Sequence, residues 1–159
     1  MFKTGIGFDA HPLAEDRPLV IGGVNIPHSR GLLGHSDADV LVHAVMDAIL
    51  GALALGDIGE HFPDTVDEFE GADSLVLLSR VQKMIEDKGY SCENLDSIII
   101  AEKPKLISYI GEMRKNLASV LKISIDQLSI KATTTEHMGF TGREEGIAAQ
   151  AIVLLKSNN

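Results

Sequence analysis

Three residues of the sequence, Asp9, His11 and His43, have side chains that together could bind a metal ion. Asp9 and His11 stand two residues apart at the end of the first predicted strand, so their side chains point to the same side of an extended backbone. His43 lies within the first predicted helix. Two imidazoles and one carboxylate are a typical ligand set for catalytic zinc, and the same set binds Fe(II) in oxygenases. The pattern indicates a divalent transition metal site, provided that the strand end meets the helix.

The same helix places two acids near His43. Asp39, His43 and Asp47 follow one another at four-residue spacing, so they lie in one row on the helix surface. His43 is then either a structural histidine satisfied by these acids or a metal ligand whose second ring proton is accepted by Asp39 or Asp47. His35, just before the helix, is either an exposed loop residue or a group that meets an anion beside free backbone N–H donors.

Residues 34–56 contain the signals of the helix that carries His43. Ser36 is the predicted N-cap, and Asp37 and Asp39 are predicted in the first turn near the positive end of the helix dipole. The helix should therefore begin near Asp37. Its apolar residues recur at three- and four-residue spacing and predict one buried stripe, made of Val40, Leu41, Ala44, Val45, Ala48, Ile49 and Ala52.

The other elements follow from apolar patterns and turn signals. Gly5 and Gly7 in the first strand suggest a close backbone approach, and Pro12 is expected to end its pairing. In chain order we predict a strand over residues 2–8, a hairpin over 18–27 around Gly22 and Gly23, a loop over 56–65, a helix from Asp73 or Ser74 to Lys88, a strand over 95–101, a helix over 107–121, and strands over 127–135 and 146–155. The strand over 95–101 is continuously apolar, which predicts burial on both faces.

These elements predict an α+β fold in a single domain, residues 1–159. A mixed four-stranded sheet should carry helices on one face, with an additional hairpin. Three helices suit one sheet face, so the apolar opposite face implies packing in a homo-oligomer. The alternative is that residues 12–35 and 56–72 fold over that second face.

Composition narrows the class of protein. The net charge of −9 argues against a nucleic-acid partner, because phosphate backbones are bound mainly by clustered lysines and arginines. Phosphates could still be bound locally, through metal ions, helix N-termini and a few cations. The single cysteine, Cys92, excludes an internal disulfide, and no apolar stretch has the length of a signal sequence or membrane span. We therefore expect a cytoplasmic protein with no membrane partner.

Six motifs in order carry a resemblance to a known family. They are GFDAHP, HSDADVLVH, GDIGEHFPDT, AEKPKL, KATTTE and GFTGR, and the similarity runs from Phe2 to about Leu155. The sequence resembles the 2-C-methyl-D-erythritol 2,4-cyclodiphosphate synthase family of the non-mevalonate isoprenoid pathway. One such motif would be a weak signal, whereas six in register are specific.

The resemblance implies a set of site residues. Zinc, or another divalent transition metal, would be bound by Asp9, His11 and His43, and Mg²⁺ or Mn²⁺ by Glu136. His35 and Thr134 match the positions to which stabilisation of the transition state is attributed. The matching substrate-binding positions, beyond Asp9, His11, His35, Thr134 and Glu136, are Ser36, Asp57, Ile58, Gly59, Phe62, Pro63, Asp64, Thr65, Val66, Ala101, Glu102, Lys103, Pro104, Lys105, Leu106, Ile107, Thr133, Thr135, Phe140 and Arg143.

The resemblance also implies an activity and partners. The 2-phosphate of 4-diphosphocytidyl-2-C-methyl-D-erythritol 2-phosphate would attack its own β-phosphorus, release CMP and close a cyclic diphosphate. Residues 101–107 would form the cytidine pocket of a homotrimer whose active sites lie between subunits. Phe140 and Arg143 would line a cavity on the trimer axis, where an isoprenoid diphosphate can bind; nearby, Glu144 stands where some relatives have glycine.

Two other functions stay open on the residues alone. A hydrolase or an Fe(II) oxygenase could use the same ligands, although it would need an activated water or oxygen and a general base. A non-catalytic trimer that binds an isoprenoid diphosphate, with a structural zinc, is the second alternative.

Overall fold

The structure of the chain is a computed structural model that describes residues 1–158; Asn159, which the predicted domain includes, lies outside the described residues. The chain forms seven strands and five helices over this range. The elements are β1 (Phe2–Ala14), β2 (Leu19–Ile21), β3 (Val24–Ile26), β4 (Gly31–Leu32), α1 (Val40–Ala52), α2 (Ile58–His61), α3 (Ser74–Asp87), β5 (Tyr90–Ile100), α4 (Ile110–Leu121), β6 (Leu128–Thr133), α5 (Gly139–Gly142) and β7 (Gly146–Ser157).

The central sheet is mixed and has five strands in the order β4-β1-β7-β5-β6. β7 pairs antiparallel with β1 and β5, whereas β6 pairs parallel with β5. The α+β class is confirmed, but the predicted count of four strands is wrong. The extra strand is β4, whose two residues pair with Leu13 and Ala14. The predicted hairpin is confirmed as the separate two-stranded sheet of β2 and β3.

Pro12 does not end the first strand. β1 continues to Ala14, with Pro12 opposite Gly146. A proline interrupts pairing only where its missing N–H is needed. Here the Pro12 carbonyl accepts the N–H of Leu33 at 3.0 Å, and the next N–H, of Leu13, donates to the Glu145 carbonyl at 2.9 Å.

Gly5 and Gly7 let α1 pack directly on β1, as predicted. A Cβ atom at Gly5 would lie 1.9 Å from the carbonyl oxygen of Ala48, and one at Gly7 would lie 1.9 Å from that of Ala44. Any side chain at either position would displace the helix backbone. The apolar stripe predicted for α1 is buried throughout, and its burial against β1 and β7 fixes the helix on the sheet.

The predicted start of α1 is wrong by about one turn. The helix begins at Val40, and its N-cap is Asp39 rather than Ser36. Ala38 has a φ of 56°, which breaks the helical backbone before this point. The Asp39 side chain then accepts the N–H of Val42.

The other helices agree in part with prediction. α3 begins after its N-cap Asp73 and ends before Gly89, as predicted. α4 begins at Ile110 rather than 107, because residues 106–109 form a turn closed by the Tyr109 N–H on the Leu106 carbonyl at 2.9 Å. Ile107, the predicted first residue of this helix, is 79% exposed. The predicted loop over 56–65 contains the short helix α2. β5 begins at Tyr90, five residues before its predicted start, whereas β6 and β7 differ from prediction by at most two residues at either end.

The second face of the sheet is apolar and exposed within the subunit. Phe2, Ile6, Phe8 and Ile152 are each more than half exposed, so residues 12–35 and 56–72 do not cover them. In β5, burial alternates along the strand and Ile98 is only partly buried, which corrects the prediction that both faces are buried. This face lies opposite the helices. Within residues 1–158, none of the helices has the length and apolar character needed to cross a membrane.

Candidate metal centre and adjoining clefts

Asp9, His11 and His43 meet where β1 passes under α1. Asp9 and His11 point to the helix side of the strand, the side that Gly5 and Gly7 leave open for α1. Asp9 Oδ2 lies 2.9 Å from His11 Nε2 and 3.1 Å from His43 Nδ1. The two ring nitrogens are 3.1 Å apart. The structure therefore brings one ligand atom from each of the three predicted residues into a group that could hold a metal ion.

The spacing and chemistry of these atoms fit zinc. Ligands about 2.0–2.1 Å from a tetrahedral zinc ion lie roughly 3.3 Å apart, close to the three separations in the cluster. Three protein ligands also leave the fourth position free, as catalytic zinc sites do. The same donor set suits Fe(II), so the geometry is compatible with a divalent metal without choosing between the two.

Each imidazole has a hydrogen-bond partner on the nitrogen that faces away from the cluster. His11 Nδ1 lies 3.1 Å from the Leu33 carbonyl, to which it donates. His43 Nε2 lies 3.0 Å from the hydroxyl oxygen of Ser74 and 3.1 Å from that of Ser36. In metal sites such outer contacts fix the orientation of the rings.

The two acids predicted to orient His43 bind other groups instead. Asp39 accepts the N–H groups of Gly22 and Gly23 at 2.9 and 2.7 Å, which ties the β2–β3 turn to the start of α1. Asp47 accepts the N–H of Ile58 at 2.8 Å, which ties α1 to the start of α2. Helical spacing alone could not show these alternatives, because both acids bond to segments distant in the chain.

The pKa values of Asp9 and His11 are shifted in opposite directions. Burial disfavours the ionised form of Asp9, but hydrogen bonds from His11 and His43 outweigh it and hold the pKa of Asp9 well below its ordinary value. Burial likewise opposes a charged His11, while the hydrogen bond to Asp9 raises the pKa of His11 overall. Asp9 is therefore present as a carboxylate, the form that binds metal.

A cleft of about 400 Å³ opens next to the cluster. It holds most of the predicted site residues from the first half of the chain, together with three apolar residues that sequence reasoning missed, Met46, Phe69 and Leu77. The predicted residues that line it are Asp9, His11, His35, Ser36, His43, Ile58, Gly59, Phe62, Pro63, Asp64 and Thr65. Asp57 and Val66 are not among the lining residues: Asp57 caps α2, and the Val66 carbonyl lies 3.4 Å from His35 Nε2.

A second cleft, of about 420 Å³, lies at the carboxyl ends of β5 and β6. Its lining contains Ala132 and Ile110, which were not predicted. The predicted residues around it are Ala101, Glu102, Pro104, Lys105, Leu106, Ile107, Thr133 and Thr134. Lys103, by contrast, pairs with Glu144 at 3.3 Å and is not part of the lining.

The segment after β6 directs its polar side chains to one another. The Thr134 hydroxyl donates to Glu136 Oε1 at 3.1 Å. Thr135 donates to the Met138 carbonyl at 2.6 Å, so its hydroxyl is bound within the turn. Glu136 is exposed, and neither it nor Thr135 lines the second cleft.

Comparison with known proteins decides the family. A family model described as the YgbB family matches residues 2–156. A protein named 2-C-methyl-D-erythritol 2,4-cyclodiphosphate synthase from Bacillus cereus (strain ATCC 10987 / NRS 248) is 60% identical over 156 residues, which cover 98% of this chain and 99% of the relative. Its namesake from Clostridioides difficile (strain 630) is 61% identical over 153 residues, 96% of this chain and 95% of the relative. The chain belongs to this synthase family.

Solved structures of the synthase family share the fold. The bifunctional IspDF of Campylobacter jejuni aligns with a TM-score of 0.95 and 44% identity over 99% of this chain, which spans 42% of that longer protein. A CDP complex of IspF from Plasmodium falciparum aligns with a TM-score of 0.87 and 34% identity, over 99% of this chain and 97% of that one. A CDP-bound form of the synthase aligns with a TM-score of 0.89 and 33% identity, over 97% of this chain and 100% of that one.

Two residues that the family resemblance assigns to a central cavity lie outside both clefts. Phe140 is 42% exposed at α5, and Arg143 pairs with Glu145 at 2.8 Å. Glu144 has a φ of 56°, in the left-handed region that favours glycine. Its side chain pairs with Arg30 at 3.5 Å.

Proposed function

We propose that the chain catalyses the intramolecular phosphoryl transfer that converts 4-diphosphocytidyl-2-C-methyl-D-erythritol 2-phosphate to 2-C-methyl-D-erythritol 2,4-cyclodiphosphate with release of CMP. The observation that carries this proposal is the cluster of Asp9, His11 and His43 in a cleft that also contains His35 and Ser36. Membership of the synthase family, and the named CDP complexes of its structures, support the reaction and the nucleotide. The protein would act in cytoplasmic isoprenoid synthesis as a single domain.

The chain's residues fit both metals that the family implies. Asp9, His11 and His43 would hold zinc. Glu136 has an exposed carboxylate with one oxygen already bound by Thr134, which suits Mg²⁺ held jointly by one carboxylate and substrate phosphates. The bound metals would polarise the β-phosphate and stabilise the departing CMP.

The protein's own task is to hold one flexible substrate folded back on itself. The attacking 2-phosphate is already an anion, so no general base is required. Residues 58–65 would hold the erythritol part, with His35 and Ser36 at the attacking phosphate. Thr133 and Thr134 would hold the diphosphate beside the cytidine cleft of residues 101–107. Such orientation can lower the barrier by about 7–11 kcal/mol in a well-aligned intramolecular reaction.

A homotrimer with shared active sites is part of the proposal. No residue of the described chain lines both the metal cleft and the second cleft. This supports an active site that combines the metal cleft of one subunit with the cytidine cleft of its neighbour. The exposed apolar sheet face supports the same assembly. Phe140 and Arg143 would then lie towards the trimer axis, where an isoprenoid diphosphate could bind apart from turnover.

Turnover tests the proposal directly. The purified protein is incubated with the cytidine diphosphate substrate, Zn²⁺ and Mg²⁺, and the products are followed by phosphorus NMR. We expect CMP and a cyclic diphosphate, and a chelator should abolish both. Intact substrate would contradict the cyclase and favour a binding protein, whereas a linear phosphate product would favour a hydrolase.

A further inference from the structure

Behind the metal cluster, the outer nitrogen of His43 meets a buried serine that sequence reasoning did not select. His43 Nε2 lies 3.0 Å from Ser74 Oγ. Ser74 is fully buried and is the first residue of α3. It lies 31 positions further along the chain, so no local spacing indicates the contact.

The direction of this hydrogen bond is determined by Asp37. The Ser74 hydroxyl donates to Asp37 Oδ1 in a short hydrogen bond. Asp37 is itself held in place, since its Oδ2 accepts the Ser74 N–H at 3.0 Å and its Oδ1 accepts the Asp39 N–H at 3.1 Å. With its hydrogen committed to a carboxylate, the Ser74 oxygen can only accept from His43. His43 Nε2 therefore carries a proton and is the donor in this contact.

With Nε2 engaged by Ser74, Nδ1 is the nitrogen of His43 that can bind a metal. Nδ1 is the atom that lies 3.1 Å from both Asp9 Oδ2 and His11 Nε2. An imidazole of the opposite tautomer would present an N–H to the metal and could not bind it. A metal ion would take the place of any proton shared between Nδ1 and Asp9, while Nε2 keeps its proton on Ser74.

Ser36 does not determine the tautomer in the same way. Its oxygen lies 3.1 Å from His43 Nε2 and accepts the Ala38 N–H at 3.3 Å, and it also lines the metal cleft. A hydroxyl can donate or accept, so Ser36 is compatible with either tautomer. On the Nε2 side of the ring, only the contact through Ser74 ends on a group that cannot donate, the Asp37 carboxylate.

We propose that Ser74 and Asp37 are positioning residues that hold His43 in its Nε2-protonated form, so that Nδ1 is ready to bind metal. This inference rests on the metal-dependent function proposed above. The residues just before α3 also hold the segment before α1 in place. The Gly71 N–H donates to the His35 carbonyl at 2.9 Å, and the Asp37 N–H donates to the Ala72 carbonyl at 3.1 Å. The start of α3 thus positions both the metal ligand His43 and the backbone of His35.

The decisive variant is Asp37→Asn. The amide keeps the size of the side chain and retains an oxygen for a backbone N–H, so the fold should persist. Its NH₂ group can donate to Ser74, which releases the serine hydroxyl to donate to His43 Nε2. The tautomer should then shift towards Nδ1–H. Outer contacts of this kind typically change metal affinity by 10–100-fold, so zinc binding should weaken at least tenfold.

Ser74→Ala and Ser79→Ala form a matched pair on α3. Ser74→Ala removes the acceptor and should also weaken zinc binding. Ser79 is exposed, and its hydroxyl donates to the Val76 carbonyl at 2.7 Å, so Ser79→Ala should bind zinc as the wild type does. Zinc affinity of each whole protein is measured by competition with a chelator.

Nitrogen-15 NMR of the histidine rings supplies a readout that general loosening would not produce. In the zinc-loaded wild type, the Nε2–H of His43 should give a signal that exchanges slowly with water, because Ser74 accepts it, and Asp37→Asn should speed that exchange. A His43 Nε2–H signal unchanged in Asp37→Asn, or equal zinc affinity in wild type, Asp37→Asn and Ser74→Ala, would overturn the inference. A wild type that takes up no zinc would instead overturn the metal centre of the proposed function.

Discussion

Asp39 illustrates how one carboxylate can be fully buried without an ion pair. Its oxygens accept the backbone N–H groups of Gly22, Gly23 and Val42, so it joins a hairpin turn to the start of the helix that carries His43. Complete burial raises the pKa of Asp39 to about 6, an effect that the N–H groups of Gly23 and Val42 reduce and the charge of Asp37 increases. The start of α1 is thus anchored by a carboxyl group whose pKa lies within the pH range of an unfolding experiment.

The raised pKa predicts how stability changes with pH. Between pH about 4 and 6 the folded protein holds a proton on Asp39 that the unfolded chain has released, so this group's contribution to stability is present at low pH and is lost as the pH rises through about 6. A shift of about two units corresponds to about 3 kcal/mol in the free energy of unfolding. Asp39→Asn removes this titration.

Urea unfolding of metal-free wild type and Asp39→Asn over that pH range measures the effect. The wild type should lose up to about 3 kcal/mol relative to the variant as the pH rises from about 4 to 6, with little further change above. A difference between the two proteins that stays constant with pH would show that Asp39 keeps an ordinary pKa in the folded protein.

The sequence reveals the candidate metal ligands but not the residues that contact their outer nitrogens. Asp9 and His11 can be identified as a pair because strand alternation places both side chains on one face of the strand, and the family motifs connect them to His43. Asp39 and Asp47 are one turn away from His43 along α1, yet each finds backbone N–H donors from other segments. Ser74, which contacts His43 together with Ser36, reaches it only because α3 packs beside α1, a tertiary contact that no local pattern encodes.

At the scale of elements, the metal site depends on the close packing of α1 on β1. The glycine positions were predictable, since a glycine inside a strand signals a close backbone approach. The boundaries of the helices and strands were less predictable. The start of α1 depends on the left-handed backbone of Ala38, and β4 forms only because two residues meet the extended end of β1. Such features are set by tertiary contacts rather than by propensity.

Gly7→Ala tests this packing. The added Cβ would lie 1.9 Å from the Ala44 carbonyl oxygen and 2.7 Å from the Ala48 nitrogen, so the helix must move away from the strand. Overpacking of this kind costs about 1–3 kcal/mol, and the displaced helix also carries His43 away from Asp9. We expect lower stability in urea and weaker zinc binding together.

Gly111→Ala is the matched control. Gly111 lies in α4, where an added Cβ would meet no atom within 4 Å apart from the helix's own backbone and its immediate neighbours. This variant should be as stable as the wild type or up to about 1 kcal/mol more stable, because alanine favours helix. If Gly7→Ala matched Gly111→Ala in stability and zinc affinity, the close approach of α1 would not be what positions His43.

At the scale of the whole molecule, the exposed sheet face is the feature that a single subunit leaves unexplained. Ile6 on β1 and Ile152 on β7 are direct cross-strand partners and are 62% and 53% exposed. Phe2 and Phe8 extend the same apolar surface at 59% and 58% exposure. A contiguous apolar surface of this kind marks an interface more often than it remains in water. The proposed trimer would cover it and bring the metal cleft of one subunit to the second cleft of another.

Ile6→Glu tests this assembly, with Val76→Glu as its control. Val76 is 52% exposed on α3, on the helix side of the subunit, so its substitution should leave the oligomer intact. Ile6→Glu would bury a charge in the interface, and light scattering should show the mass falling from three chains to one. Turnover should fall as the trimer dissociates, while each subunit retains zinc, because the three candidate metal ligands all belong to one chain. A monomeric wild type with full turnover, or an Ile6→Glu variant that stays trimeric and active, would contradict an active site completed across this face.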